Sequence, residues 1–160
     1  MAVPTKGEER AEVSATPEAV YDLVSDMSRM GEWSPECRRC EWVGENPGPA
    51  VGAEFLGHNR IGPYGWSVGG KVVVSERGRE FAFTTYVKDR ESTRWRYRFE
   101  PSGAGTLVTE SYEYVWSTPL IRLSDAVIPR RRMLQRGMRR TLGRIKAVAE
   151  AAKKSGTQGP

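Results

Sequence analysis

Residues 92–116 read STRWRYRFEPSGAGTLVTESYEYVW, and two strands joined by a turn are legible in that string. Over Ser92–Glu100, Trp95, Tyr97 and Phe99 alternate with Arg94, Arg96 and Arg98, the period of two that puts each set on its own face of a strand. Ser102-Gly103-Ala104-Gly105 turns the chain. Thr106–Trp116 then places Val108, Glu110, Tyr112, Tyr114 and Trp116 on one face. A hairpin with an aromatic face and an arginine face needs cover on its aromatic side only. One residue departs from the pattern: Glu110 is a carboxylate on the face that should be apolar.

The same period runs upstream. Arg79–Lys88 alternates Phe81, Phe83, Thr85 and Val87 with Ala82, Thr84 and Tyr86. Trp66–Glu76, Gly52–Ile61 and Arg39–Gly44 are the strands before it. They are separated by Arg77-Gly78, by a tight turn at Gly62-Pro63-Tyr64-Gly65, and by Asn46-Pro47-Gly48-Pro49. Gly69-Gly70 reads as a bulge. Neither glycine cluster joins a strand to a helix, so neither is a phosphate loop. A first strand begins near Glu8. It is followed by an N-cap, proline, acid start at Thr16-Pro17-Glu18, which predicts a short helix over Pro17–Asp26 with Val20, Leu23 and Val24 on one face. Met27–Trp33 makes a second helical turn, stopped around Gly31 and Pro35.

From Leu134 the period changes to that of a helix. Leu134, Met138, Leu142, Ile145, Val148, Ala149 and Ala152 recur at spacings of three and four, opposite a ridge of Arg132, Arg136, Arg140 and Arg144, with Arg139 and Lys146 beside it. Thr118–Val127 is a preceding helical segment with Leu120, Leu123 and Val127 on one side, and Pro129 interrupts the join. The element order is one strand, two short helices, about six antiparallel strands and a long helix. It predicts a single α+β domain over 6–153, a curved antiparallel sheet of about seven strands wrapped around the C-terminal helix, with a disordered tail over 154–160.

The chain has 160 residues, 38% hydrophobic and 28% charged, and a formal net charge of +5. That charge is uneven. Up to Ile128 there are 15 Lys and Arg against 19 Asp and Glu, a net of −4, and from Pro129 onward 10 against Glu150 alone, a net of +9. An acidic body carries one basic helix. The inward aromatics do not interleave with the basic residues, which places nucleic acid last among partners. No run is long enough for a membrane span and Met1–Arg10 has no apolar core, so the expected compartment is the cytoplasm, as monomer or homodimer.

His58 is the one histidine, and alternation puts it on the outer face beside Glu54 and Arg60. That removes a Ser-His-Asp triad and any multi-histidine metal site; no metal and no cofactor is expected. Cys37-Arg38-Arg39-Cys40 leads into a strand rather than a helix N-terminus, and a spacing of three puts the thiols on opposite faces, against a redox or metal role. Cys37, near Trp33, reads as a cavity-lining residue.

The concave face carries Phe55, Trp66, Phe81, Phe83, Trp95, Tyr97, Phe99, Tyr112 and Tyr114, too much ring to pack flat against one helix. It suits either a closed core or a cavity for a flat, mostly apolar ligand with a few polar anchors. The candidate lining is Trp33, Cys37, Phe55, Asn59, Trp66, Phe83, Trp95, Tyr97, Tyr112, Tyr114 and Met133. Glu110, Asn59 and Tyr112 are the candidate anchors. A buried Glu110 has a raised pKa and suits proton transfer; alternatively it is a structural carboxylate satisfied by Asn59, a Trp indole or a helix-end amide.

Several stretches taken together are familiar. Ser14-Ala15-Thr16-Pro17-Glu18-Ala19-Val20-Tyr21-Asp22-Leu23-Val24-Ser25-Asp26, Glu32-Trp33-Ser34-Pro35-Glu36-Cys37, Val51-Gly52-Ala53-Glu54-Phe55, Gly57-His58-Asn59-Arg60, Trp66, Trp95-Arg96-Tyr97 and Gly105–Tyr112 stand in that order. In this the chain resembles the START-like, helix-grip superfamily (SRPBCC), in its polyketide cyclase/dehydrase branch, over roughly Glu8 to Ala152. The resemblance implies a seven-stranded sheet gripping the C-terminal helix around an apolar cavity. It also implies binding of lipids, sterols, hormones or aromatic polyketides, with cyclisation or aromatisation in some members.

Two functional readings follow. One is a cyclase or dehydrase acting on a polyketide-like chain, with Glu110 moving the proton. The other is a non-catalytic carrier or sensor of a lipid-like ligand. The ridge of Arg132, Arg136, Arg140 and Arg144 is either a solvated face or a dock for an acidic protein, such as an acyl carrier protein, or an anionic membrane surface.

Overall fold

In a computed structural model of the chain, the described residues are 6–116, 119–120, 123 and 130–156. The elements are β1 (Lys6–Val13), α1 (Pro17–Val24), a 3-10 helix (Met27–Glu32), β2 (Cys37–Val43), β3 (Glu54–Ile61), β4 (Tyr64–Glu76), β5 (Glu80–Val87), β6 (Arg90–Ser102), β7 (Gly105–Tyr114) and the long helix α2 (Arg130–Gly156). All seven strands form one antiparallel sheet in the order β1-β7-β6-β5-β4-β3-β2. This is the α+β helix-grip arrangement: a curved meander closed by β1 against β7, with α2 on the concave side. The expected Thr118–Val127 segment is helical at 119, 120 and 123; its remainder, and Pro129, lie outside the described residues. At its other end α2 runs through Gly156, into the stretch expected to be a tail. Lys153 and Lys154 in its last turn complement the carbonyl end of the helix dipole.

Local chemistry explains the first helix. Thr16 accepts a hydrogen bond from the Ala19 amide at 3.2 Å, Pro17 opens the first turn, and Glu18 sits where the dipole favours an acid. Val20, Tyr21 and Val24 are buried, and the Tyr21 ring stands edge-on to both Phe81 and Phe99. These side chains, with Val13, Trp33, Val108, Leu142, Ile145 and Ala149, make one core at the closed end of the sheet.

The hairpin of residues 92–116 folds as its alternation dictates. Trp95 pairs with Tyr112, Tyr97 with Glu110 and Phe99 with Val108 on the concave face. The arginines lie outside, where Arg94 pairs with Glu91, Arg96 with Glu80 and Arg98 with Glu8. Each such exposed pair is worth about 0.2–1 kcal/mol, so this face needs no further partner.

Two strand irregularities fall elsewhere than the sequence suggests. In β2 the register shifts between Cys37 and Arg39, with Cys37 opposite Asn59 and Cys40 opposite Gly57. The extra residue cancels the odd spacing, so both thiols point to the concave face and both are buried; the expectation of opposite faces is overturned. In β4 the bulge lies between Val72 and Val74, whereas Gly69 and Gly70 pair regularly with Tyr86 and Thr85. Gly70 is there for space: a Cβ on it would lie 2.1 Å from Cζ of Phe55, whose ring is pinned edge-on by Phe83 and Trp42. The β3–β4 turn is shorter than expected, since Ile61 pairs with Tyr64 and Gly62 takes φ +57°, the backbone that a two-residue mirror-image turn requires.

This gives a matched pair of substitutions. Gly70→Ala should cost about 2–3 kcal/mol by driving a methyl group into the pinned Phe55 ring. Gly69→Ala, with nothing within 4 Å of its would-be Cβ, should change stability by less than about 0.5 kcal/mol. Urea denaturation midpoints of the two variants and the parent chain test the difference.

Candidate functional site

A cavity of about 150 Å³ lies between the concave face and the first half of α2, room for about one aromatic ring. Its floor is Phe55, Gly57, Asn59, Val68, Phe83, Thr85, Trp95, Tyr97 and Glu110 from the strands. Cys37 and Cys40 of β2 form one wall, Met27, Met30, Ser34, Pro35 and Glu36 another, and Met133, Leu134, Gly137, Met138 and Thr141 of α2 the roof. The space exists because small residues face it from both sides: Gly57 and Thr85 in the sheet, Gly137 and Thr141 in the helix. Further along α2, Leu142, Ile145 and Ala149 are buried in the core and leave no gap. The Thr141 hydroxyl is spent on the Gly137 carbonyl at 2.9 Å. Four methionines line the walls, unbranched side chains that re-pack around differently shaped guests.

Glu110 is the polar centre. It is 3% exposed, and the Tyr97 hydroxyl donates to its Oε1 at 2.8 Å, while its Oε2 is buried without a hydrogen-bond partner among the described residues. Burial pushes its pKa up from 4.5 to about 8, against a smaller downward pull from the Tyr97 hydrogen bond. Burial and the neighbouring carboxyl likewise hold the Tyr97 phenol well above its ordinary range. Across the ladder Glu9 is paired with Glu110, but its carboxylate is taken up by Arg139 of α2 at 3.2 Å. At neutral pH Glu110 is therefore mainly a neutral carboxylic acid, able to donate as well as accept. Its partner is a phenol, not the Asn59, indole or helix-end amide that the sequence suggests.

Of the residues expected at the site, Glu110, Cys37, Phe55, Asn59, Phe83, Trp95, Tyr97 and Met133 surround the cavity. Four others lie elsewhere. Trp33 is completely buried in the core beneath it, with Arg29 over its ring and Arg144 bonded to its carbonyl. Trp66 shares the concave face with Asn59 but sits beyond the cavity at the end of the sheet, 42% exposed. Tyr112 and Tyr114 point inward on the β1 side, where Tyr112 packs against Trp95, Tyr114 and the bare backbone of Gly7. Sequence reasoning missed Met27, Met30, Cys40, Val68, Thr85, Gly137 and Thr141. Val68 was recoverable from its pairing with Gly57, and Gly137 and Thr141 from the apolar stripe of α2; Cys40 is hidden by the bulge.

His58 lies on the outer face, between Ser67, Glu41 and Arg39. On α2, Arg132, Arg136, Arg140 and Arg144 are exposed. Arg144 bonds the Trp33 carbonyl at 3.4 Å, and the adjacent Lys146 is held by Glu150 and by the Glu12 carbonyl. Among the described residues no three His, Cys, Asp or Glu side chains cluster as a metal site, and no helix is long and apolar enough to cross a membrane.

Comparison with known proteins places this geometry in context. The family described as "Polyketide cyclase / dehydrase and lipid transport" matches residues 4–150. The solution structure of a Polyketide_cyc-like protein of Corynebacterium glutamicum is 30% identical over the whole of both chains, with a TM-score of 0.59. The di-domain ARO/CYC protein of the steffimycin biosynthetic pathway is 17% identical with a TM-score of 0.74, over 94% of this chain and 52% of that one. A Thermus thermophilus protein is 16% identical with a TM-score of 0.71, over 92% of this chain and 98% of that one. A search of the curated proteins found no match.

The state of Glu110 can be read as stability. Its folded pKa lies above its unfolded value, so the folded chain binds the extra proton between pH 4.5 and about 8. Stability is then full below pH 4.5 and falls as pH rises through about 8. At about 1.4 kcal/mol per pH unit the loss is on the order of 4–5 kcal/mol. Glu110→Gln, which cannot ionise, should flatten this part of the pH–stability curve and exceed the parent in stability above pH 8. Denaturation midpoints from pH 5 to 9 measure it, and parallel curves for the two proteins would exclude a raised Glu110 pKa.

Proposed function

We propose that this chain, which belongs to the polyketide cyclase / dehydrase and lipid transport family, binds a flat, mostly apolar, carbonyl-bearing small molecule beneath α2, with Glu110 as its polar anchor. The observation that carries this reading is a carboxyl group, neutral at neutral pH and with one oxygen unpartnered among the described residues, beside a mostly apolar cavity. A buried polar atom without a partner costs about 1–3 kcal/mol, and a ligand carbonyl or hydroxyl would recover that. Asn59, on the same wall, supplies a second polar group. The cavity holds about one ring, so a longer ligand is accommodated by movement of Met30, Met133 and Met138.

On a poly-β-keto chain the same group supports ring closure. Glu110 would give its proton to a ketone oxygen as the enol carbon of the same chain bonds to the ketone carbon, producing a tertiary alcohol. It would regain a proton from the enol hydroxyl, directly or through water. Loss of that alcohol as water, with a proton from the neighbouring carbon, completes a dehydration. Tyr97 holds the carboxyl in place and fixes which oxygen faces the ligand.

Titration with 2-acetylnaphthalene, followed by tryptophan fluorescence through Trp95, tests the binding reading. Saturable binding is expected for the parent, and Thr141→Phe, which fills the cavity, should abolish it. Equal quenching of both proteins would overturn the cavity reading. Glu110→Gln keeps a donor but cannot transfer a proton. It should bind within about threefold of the parent and lose turnover of a synthetic triketide by at least about 100-fold. Unchanged turnover in that variant would eliminate Glu110 as the acid or base, and no turnover by the parent would favour the carrier reading.

Arg132, Arg136 and Arg140 favour docking of a ligand donor. They lie in one row on α2, exposed, with no ion pair among the described residues. An acidic carrier protein delivering a tethered chain is the partner of matching charge. Arg136→Glu with Arg140→Glu should remove any salt-sensitive binding to an acyl carrier protein in a pull-down at low ionic strength; undiminished binding would return the row to a solvated face.

A further inference from the structure

The β2 bulge brings Cys37 and Cys40 together. Both are buried, both border the cavity, and they stand opposite Asn59 and Gly57 of β3. Asn59 and Gly57 are two residues apart on β3, about 6.6 Å at 3.3 Å per residue, so the cysteines opposite them stand at about that spacing, near the upper limit of Cα separation for a disulfide, about 6.8 Å. The Cys37 thiol donates to the Arg39 carbonyl at 3.3 Å, and neither cysteine is engaged in a disulfide.

We propose that Cys37 and Cys40 are a redox-active dithiol in the cavity wall, which a hydroperoxide entering the cavity converts to an intramolecular disulfide. The roles are unequal. Hydrogen bonding with Cys40, and with the backbone at Arg39 and His58, holds the Cys37 thiol below the ordinary range against the opposing effect of burial. The proximity of Cys37 and burial push the Cys40 thiol far up. Cys37 is therefore the attacking thiolate and Cys40 the resolving thiol. Cys37 sulfur bonds to one peroxide oxygen as the O–O bond breaks; the other oxygen leaves as an alcohol or water after taking a proton, and Cys37 is a sulfenic acid. Cys40 sulfur then bonds to Cys37 sulfur as the S–O bond breaks, and the departing hydroxide takes the Cys40 proton as water. The two thiols are oxidised by two electrons and the peroxide is reduced by two. The bond lies beside Phe55, Gly57 and Asn59, so its closure stiffens the wall that the ligand would touch.

The chemistry does not depend on the ligand assignment and is read without one. Reduced, desalted full-length protein is treated with about a tenfold excess of hydrogen peroxide under native conditions and followed by intact mass and thiol titration. A monomer lighter by two hydrogens is expected, with both thiols lost together and restored by dithiothreitol. Cys40→Ser should accumulate a dimedone-trappable sulfenic acid on Cys37. In Cys37→Ser the remaining thiol should react at least about tenfold more slowly than Cys37 does. Circular dichroism of both serine variants checks the fold, and the parent mass shift stands whatever they do. Thiols that survive the peroxide, oxygen added to either cysteine without loss of two hydrogens, or disulfide-linked dimers would each overturn the proposal.

Discussion

The constraint behind everything else is that one helix must cover the concave face of a seven-stranded sheet. Six inter-strand spacings of about 4.8 Å give a face roughly 29 Å wide, while a helix with its side chains is about 10–12 Å across. The chain meets the deficit in two ways. At one end α1 and the 3-10 helix join α2, and Tyr21, Met27, Trp33, Ile145 and Phe81 pack with almost no exposure. At the other end the described residues that wall the gap include methionines, small residues and two thiols. The cavity is a consequence of the layer geometry, and its contents follow from which small residues face it.

Within that gap a carboxyl group is an expensive choice. Removing a carboxylate from water costs far more than one phenol hydrogen bond returns, so Glu110 keeps its proton to a pH well above that of ordinary carboxyls. Gln or Leu at the same place would spare the chain that liability. On the proposed function that cost is put to use, as a neutral acid beside an apolar guest. Elsewhere the sheet shows how ionic groups are handled when nothing is asked of them: Glu91, Glu80 and Glu8 meet their arginines on the outer face, in water.

Face assignment was legible because it follows from parity alone. The inward set Trp95, Tyr97, Phe99, Val108 and Glu110 could be read from residues 92–116 without any tertiary knowledge, and so could the outward placement of His58. Position along the strand was not. Trp66 has the right parity and lies beyond the cavity, and Tyr112 has the right parity and is consumed by Trp95 and Gly7, because alternation says nothing about where the covering helix ends. Parity itself fails at a bulge. One inserted residue between Cys37 and Arg39 reverses the reading of the CxxC spacing, and nothing in the residue types there announces it. Gly69-Gly70 shows the opposite error: two glycines that look like an irregularity are regular strand, one of them the seat for a ring. The partner of Glu110 was hidden for a simpler reason. Tyr97 and Glu110 become neighbours only through the β6–β7 register, and the hairpin turn that sets the register also permits others.

The basic helix divides in a way that the charge count could not show. Arg139 reaches the Glu9 carboxylate and Lys146 the Glu12 carbonyl, both on β1, an edge strand one of whose backbone carbonyls is thereby satisfied. Arg144 reaches the Trp33 carbonyl. These residues hold the helix to the acidic body. Arg132, Arg136 and Arg140 do not. They crowd the first half of α2, whose first turn has no acidic residue. Near that end a positive charge opposes the helix dipole, and like charges four apart repel one another. Each effect costs a few tenths of a kcal/mol to about 1 kcal/mol, and among the described residues no ion pair offsets it. Met133, half exposed, lines the cavity from the same stretch. On the proposed docking, an anionic surface approaching this row would offset that loss.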